Sequence, residues 1–166
     1  MPLEQRRLTY PEVGATAGAL PGGYDYLVRS RTIGTGDAVF HAAAERLMGW
    51  EMHRSAGIDV RPTAQRAAVG ARVLLRPGWG LLRIGAVCEV VLVLDEPRRQ
   101  GFAYGTLDGH PERGEELFCL ERRDDDTVVL SITAFSRPAA WWAAAGAPAA
   151  RRVQERVTER YLRSVL

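Results

Sequence analysis

The sequence predicts an α+β fold in which a curved antiparallel sheet wraps around a long C-terminal helix. Three observations carry the prediction. Apolar residues recur at helical spacing in two stretches, one following a first strand and one at the C-terminus. Between them lie short apolar runs joined by turns too short for parallel crossovers, so neighbouring strands must run antiparallel. A sheet with one face to bury then leaves the last helix as the element able to cover it.

Residues 1–23 form an irregular lead-in: "LTYPEVGATAGALPGG" is rich in Gly, Pro and Ala without sustained periodicity, and "PGG" reads as a turn. "YDYLVRSRTI", Tyr24 to Ile33, has the loose alternation and β-formers of a strand. In "GTGDAVFHAAAERLMGW" Thr35 or Asp37 is a candidate cap, Val39, Ala43, Leu47 and Trp50 make the apolar stripe of a helix, and Gly49 is its stop. From Glu51 the runs "ARVLLR", "LLRIGAVCEVVLVLDE", "GFAYGTL", "EELFCLERR" and "TVVLSITAFSRP" alternate with "PGWG", "PRRQ", "DGHPERG" and "DDD". That pattern predicts a meander of about five or six strands. The chain then returns to the helical period over 147–166, where Val153, Val157, Tyr161 and Val165 fall four apart and Pro148 sits near the start.

Length and composition narrow the class. A chain of 166 residues that is 46% hydrophobic can bury one core, so a single domain spanning 1–166 is expected. The net charge of +2 rests on arginine alone, since lysine and asparagine are absent, and this points to a GC-rich bacterial genome. The arginines are scattered, which argues against a nucleic-acid face. No apolar run approaches the roughly 20 residues of a membrane span. Met1 to Arg7 is polar where a signal peptide would be apolar, so a cytoplasmic location is expected. Cys88 and Cys119 read as small core residues, and His41, His53 and His110 lack ligand spacing, so no metal is expected. The glycines of "GTG" and "PGWG" fit neither a phosphate loop nor a dinucleotide fingerprint, so no cofactor is expected.

Strand parity assigns the inward side chains. Glu89 marks the outward face of "AVCEVVLVL", which turns Ala86, Cys88, Val90, Leu92 and Leu94 inward. In "GFAYGTLDGHPERGEELF", a seven-residue loop from 108 to 114 pairs Leu107 with Glu115. Thr106 then faces Glu116, Tyr104 faces Phe118 and Phe102 faces Leu120, and any even slip keeps these six on one side. Glu116 thereby points inward beside the loop, where a carboxylate needs a partner; His110, Arg113 and Arg137 are candidates. On the last strand Val128, Leu130, Ile132, Ala134 and Ser136 share the inward parity.

At these residues a resemblance emerges. "LTYPEVGAT", "GTG-AVF-A", "GFAYGTLDGHPERGEELF", "AFSRP" and the arginine-rich last helix resemble the uncharacterised protein family 0548, in order over nearly the whole chain. Its element order is similar to that of the START, polyketide-cyclase and birch-pollen-allergen superfamily, which implies a helix-grip fold. The family offers no established catalytic residues. It directs attention to His110, Pro111, Glu112, Arg113, Gly114, Glu116, Ser136 and Arg137, which match its motif.

The functional expectation is a cavity between sheet and C-terminal helix that binds a hydrophobic small molecule. Tyr104, Thr106, His110, Glu116, Phe118, Ser136 and Arg137 are its candidate contacts. Tyr104 and Phe118 supply surface, while His110, Glu116 and Arg137 orient the ligand. The rival is an acid/base cyclase, dehydratase or isomerase with His110 and Glu116 as proton carriers. A local hydrogen bond of the histidine and a strand-end role for Arg137 are the plainer readings of the same residues. A Ser136–His110–Glu116 triad lacks the nucleophile elbow and is set aside. A third reading is a protein-interaction module using Trp141 or Trp142, adjacent residues that cannot both face a core. The chain is expected to act as a monomer or weak homodimer.

Overall fold

The computed structural model describes residues 2–76, 85–139 and 147–166, so Trp79, Trp141, Trp142 and the "PGWG" turn lie outside the described residues. After two single 3-10 turns at Leu3–Gln5 and Ala15–Ala17 come β1 (Asp25–Thr35), α1 (Asp37–Met48), α2 (Glu51–Ser55) and β2 (Asp59–Pro62). They are followed by β3 (Arg72–Arg76), β4 (Ala86–Glu96), β5 (Arg99–Thr106), β6 (Glu112–Arg122), β7 (Thr127–Pro138) and α3 (Ala147–Ser164). The strands make one antiparallel sheet in the order β1-β7-β6-β5-β4-β3-β2. Strands β2 to β7 are the meander, and β1 closes it by pairing with β7.

Helix α1 buries Phe40, Ala43, Ala44 and Leu47 completely, while Val39 is only partly buried, pressed beneath Gly34. Ala43, Leu47 and Trp50 of the expected stripe are fully buried, and the buried face is broader than expected, taking in Phe40, Ala44 and Met48. Neither expected cap is used. Gly36 stands at the N-cap without a side-chain bond, and Asp37, in the first turn where the helix dipole favours an anion, pairs with Arg122 and with His41. Trp50 joins α1 to α2 in the left-handed region at φ 67, an uncommon state for a bulky residue. Full burial and an indole N–H bond to the Ala64 carbonyl at 3.2 Å hold it there.

The β5–β6 register pairs Gly105 with Glu115, Tyr104 with Glu116 and Phe102 with Phe118. This is an even slip from the expected pairing, because Glu112, Arg113 and Gly114 are strand residues that pair with Pro138, Arg137 and Ser136 of β7. An even slip preserves parity. Phe102, Tyr104, Phe118 and Leu120 therefore enter the main core with Cys88, Val90, Val128, Leu130, Ile132 and Ala134.

Strand β4 departs from the expectation at its far end. The pairing shifts between Val90 and Leu92, leaving Val91 as an extra residue. Beyond this bulge the parity inverts, since one added residue exchanges the two faces. Val93 packs on the main core, whereas Leu92 and Leu94 join Ala103, Leu117 and Cys119 in a small cluster on the opposite face.

Helix α3 lies across the sheet through its C-terminal half. Tyr161, Leu162, Val165 and Thr158 are buried, and Val157 is partly so. Val153, expected in the same stripe, is 51% exposed. The first turns of α3 therefore stand off from the core, and this separation shapes the site.

Candidate functional site

Where α3 parts from the sheet, a cleft of about 470 Å³ opens between β1, the ends of β6 and β7, and the helix. Leu27 and Ala134 give it apolar wall, Asp25, Glu112 and Ser136 give it polar wall, and Arg29, Arg137, Arg151 and Arg152 contribute from both sides. The inward residues of β1 opposite β7 follow from register, with Asp25 beside Ser136, Leu27 beside Ala134 and Arg29 beside Ile132. Of the expected contacts, Ser136 and Arg137 line this cleft. Burial of Glu112 raises its carboxyl above the ordinary carboxylate range, and the neighbouring Ser136 hydroxyl opposes the rise. Arg137 is exposed and lies over the Tyr24 ring, 4.8 Å from its centroid, a cation–π contact.

Ala134, on the cleft wall, pairs across the sheet with Glu116. Glu116 accepts a hydrogen bond from the Tyr104 hydroxyl at 2.9 Å. The residue keeps some exposure, yet its carboxyl is enclosed enough that desolvation pushes its pKa up to about 7; the Tyr104 bond opposes the rise and the nearby Glu112 charge adds to it. Tyr161 of α3 lies beside Tyr104 and Glu116, and burial raises both phenols well above their usual range. Cys88 feels the same carboxyl, and burial raises its thiol. One polar group from each of β4, β5 and α3 thus converges around the Glu116 carboxyl of β6, and none of the four is among the residues lining the cleft.

A residue the sequence reasoning passed over completes this interior. His53 of α2 is fully buried with neither ring nitrogen bonded. Its ring is surrounded by Tyr161 at 4.8 Å, Phe118 at 5.0 Å, Trp50 at 5.6 Å, Phe102 at 5.9 Å and Tyr104 at 6.0 Å, centroid to centroid. Desolvation first, and then the neighbouring Arg54 charge, lowers its pKa to about 3, so the ring is neutral. The Thr158 hydroxyl is likewise buried and unbonded. Helical spacing could have placed His53 inside, one turn on from the Leu47–Trp50 stripe. Nothing in the sequence announced α2 as a separate helix turned by Trp50.

His110 and Thr106 serve the β5–β6 connection. His110 Nδ1 lies 2.9 Å from the Glu112 backbone nitrogen and 3.0 Å from the Glu112 carbonyl oxygen, so the ring is tied to the Glu112 backbone. Burial lowers this imidazole to about 4. Among the described residues His110 and Glu116 share no hydrogen bond. Thr106 Oγ1 meets Thr9 Oγ1 at 2.6 Å and accepts the Gly114 N–H at 3.0 Å. Phe118 packs behind Tyr104, with ring centroids 5.4 Å apart.

On the other face of the sheet the lead-in makes a second polar construction. Glu115, 3% exposed, accepts the Tyr10 hydroxyl at 2.6 Å, the Gly14 N–H at 2.7 Å, the Thr16 N–H at 3.1 Å and the Thr16 hydroxyl. Tyr10 lies so close to Gly105 that a Cβ there would overlap its ring. Arg6 donates to the Asp108 carbonyl at 2.6 Å, and the Arg7 N–H to the Asp108 carboxylate at 2.9 Å, which fastens the loop to the same lead-in.

Comparison with known proteins identifies the family. The sequence family described as Domain of unknown function (DUF1990) matches residues 9–164, nearly the whole chain. The chain belongs to the DUF1990 family. A UPF0548 protein of Deinococcus radiodurans is 34% identical over 148 residues, covering 81% of this chain and 73% of that protein. A UPF0548 protein of Dictyostelium discoideum is 28% identical over 136 residues, 75% of this chain and 63% of that one. Among solved structures, a hypothetical protein of Helicobacter pylori superposes with a TM-score of 0.68 at 12% identity, covering 96% of this chain and 94% of its own. A major latex-like protein of Panax ginseng gives 0.55 at 15% identity, with coverage of 87% and 99%. A norcoclaurine synthase point mutant of Thalictrum flavum, in complex with a transition-state analogue, gives 0.52 at 9% identity, with coverage of 86% and 98%. At these identities the likeness is one of fold: this DUF1990 chain shares with these structures the helix-grip architecture, a curved antiparallel sheet with a long C-terminal helix.

The "LTYPEVGAT" and "GFAYGTLDGHPERGEELF" blocks that carried the resemblance are, in this DUF1990 chain, largely the two halves of the Glu115 construction. Among the described residues no group of three His, Cys, Asp or Glu could hold a metal ion, and no helix is long and apolar enough to cross a membrane.

Proposed function

We propose that the protein binds a small molecule with an apolar body in the cleft between the sheet and α3, working as one domain in the cytoplasm, as a monomer or weak homodimer. The observation that supports this reading best is the 470 Å³ space where α3 leaves the sheet. Its size falls in the ordinary range of ligand sites, about 300–1,000 Å³. The apolar body would rest on Leu27 and Ala134, and a polar end would face Ser136 and Arg137 at the mouth. Tyr104 and Glu116 would meet the buried end, with Phe118 backing the Tyr104 ring. Thr106 and His110 act by holding the β5–β6 connection in place. A synthase of the same fold holding a transition-state analogue fits a fold that accommodates small organic molecules.

The test is native mass spectrometry of the protein purified from its own host, beside a variant with Ala134→Trp filling the cleft. A co-purifying mass on the wild type that the variant loses is expected. If the wild type carries no adduct and anilinonaphthalene sulfonate fluorescence is the same with both proteins, the reading is wrong.

A further inference from the structure

One carboxyl adjoins the lining of the cleft without being part of it. Glu116 lies directly across from the cleft-lining Ala134, and the cleft-lining Glu112 stands two alternations along the same face of β6. Tyr104 fixes the carboxyl by its 2.9 Å bond, leaving the other oxygen without a bond among the described residues. A carboxylate in that situation, partly accessible and surrounded by rings, is unusual as a structural element, since buried carboxylates are ordinarily held by several donors. Glu115, its neighbour in sequence, is held in that way by four donors.

We propose that Glu116 is a general base that takes a proton from a carbon acid bound in the cleft, with Tyr104 as its positioning residue. The inference rests on the small-molecule reading above and adds a reaction class to it. The substrate class is a compound with a C–H bond next to a carbonyl. The C–H bond breaks, its proton forms an O–H bond on Glu116, and the electron pair moves onto the carbonyl oxygen as an enolate. Return of the proton to a different atom completes an isomerisation with no oxidant or reductant. The groups facing Glu116 are Tyr104 on β5, Cys88 on β4, Glu112 on β6 and Tyr161 on α3, and burial in this company holds its titration near neutral pH. A base titrating there is matched to neutral conditions.

Nitrobenzisoxazole tests the base without knowledge of the natural substrate. A carboxylate removes its ring C–H proton, the electron pair forms the nitrile as the N–O bond breaks, and the coloured phenolate is released. The wild type should exceed Glu116→Gln by about tenfold or more in this rate, with a pH midpoint near 7. Glu116→Asp, which keeps a carboxylate but withdraws it, should fall between them. Tyr104→Phe should move the midpoint upward, because it deletes the donor that favours the charged form; a merely structural tyrosine would leave the midpoint unchanged. Melting temperatures verify that each variant is folded. If nitrobenzisoxazole displaces anilinonaphthalene sulfonate but turns over equally in the wild type and Glu116→Gln, the general-base role is refuted while the binding reading stands. If neither probe binds, both fail together.

Discussion

Replacing Glu115 by alanine should remove the keystone that ties the lead-in to the sheet. The magnitude follows from its four bonds. The Tyr10 and Thr16 hydroxyls can rotate toward other acceptors, but the Gly14 and Thr16 backbone N–H groups cannot, and they have no other bond shown. A stranded buried donor costs about 1–3 kcal/mol, so two of them together with the lost charge-assisted bonds imply a loss of about 3–5 kcal/mol. In a chain of this size that is a drop of about 10 °C in melting temperature. Tyr10→Phe removes one donor and keeps the carboxylate's other three, so about 1–1.5 kcal/mol is expected. The pair should be non-additive, with Tyr10→Phe nearly silent in the Glu115→Ala background. Thermal and urea unfolding of both single variants and the double variant measure this directly. A Glu115→Ala shift under about 2 °C, or full additivity, would refute the reasoning that these bonds act as one buried unit.

The interior groups predict a divided pH dependence. Glu116, raised to about 7, keeps in the native state a proton that the unfolded chain releases from about 4.5, so it lowers stability as pH rises between these values. His53 and His110, lowered to about 3 and about 4, do the reverse: their stability is complete above 6.5 and is lost as pH falls through the folded values. Glu116→Gln should therefore raise stability by about 1–3 kcal/mol at pH 8 and change little at pH 4, as read by chemical denaturation at the two values. His53→Leu should stabilise the protein by roughly 1–2 kcal/mol at neutral pH, since it replaces two unbonded nitrogens by carbon, and by more at pH 5; destabilisation at both would mean that the imidazole has a partner. Gly105→Ala should destabilise the protein through overlap with Tyr10, and Tyr10→Ala should recover part of that loss; calorimetry that finds no recovery would break the link between them.

Much of the fold was legible because period and parity are local properties. Phe102, Tyr104, Phe118, Leu120 and Glu116 could be put on one face without knowing the register, since an even slip leaves faces unchanged. Leu92 and Leu94 were misassigned because a bulge has no signature in a run of uniformly apolar residues. Val153 was misassigned because periodicity describes a helix and not the distance at which it lies from its sheet. The candidate site was less legible. Ser136 and Arg137 were found at the cleft; parity put Tyr104 and Glu116 on one face, but the partner expected for Glu116 was His110, Arg113 or Arg137, and its hydrogen bond comes from Tyr104 instead. The part of the cleft wall formed by Asp25, Leu27 and Arg29 depends on β1, far away along the chain, pairing with β7. That closure is a long-range contact which no local pattern encodes.

The Val91 bulge divides β4 into two segments that answer to different masters. Up to Val90 the strand is in phase with the interior, and from Leu92 onward it is half a period out of step. Excising the single residue Val91 would join the two segments into one regular alternation, with Leu92 following Val90 directly and Val93 still inward, Leu92 and Leu94 still outward. Related sequences compared through this strand must therefore be aligned with a gap allowed at this point. Otherwise, a one-residue length difference would appear as a wholesale exchange of buried and exposed positions.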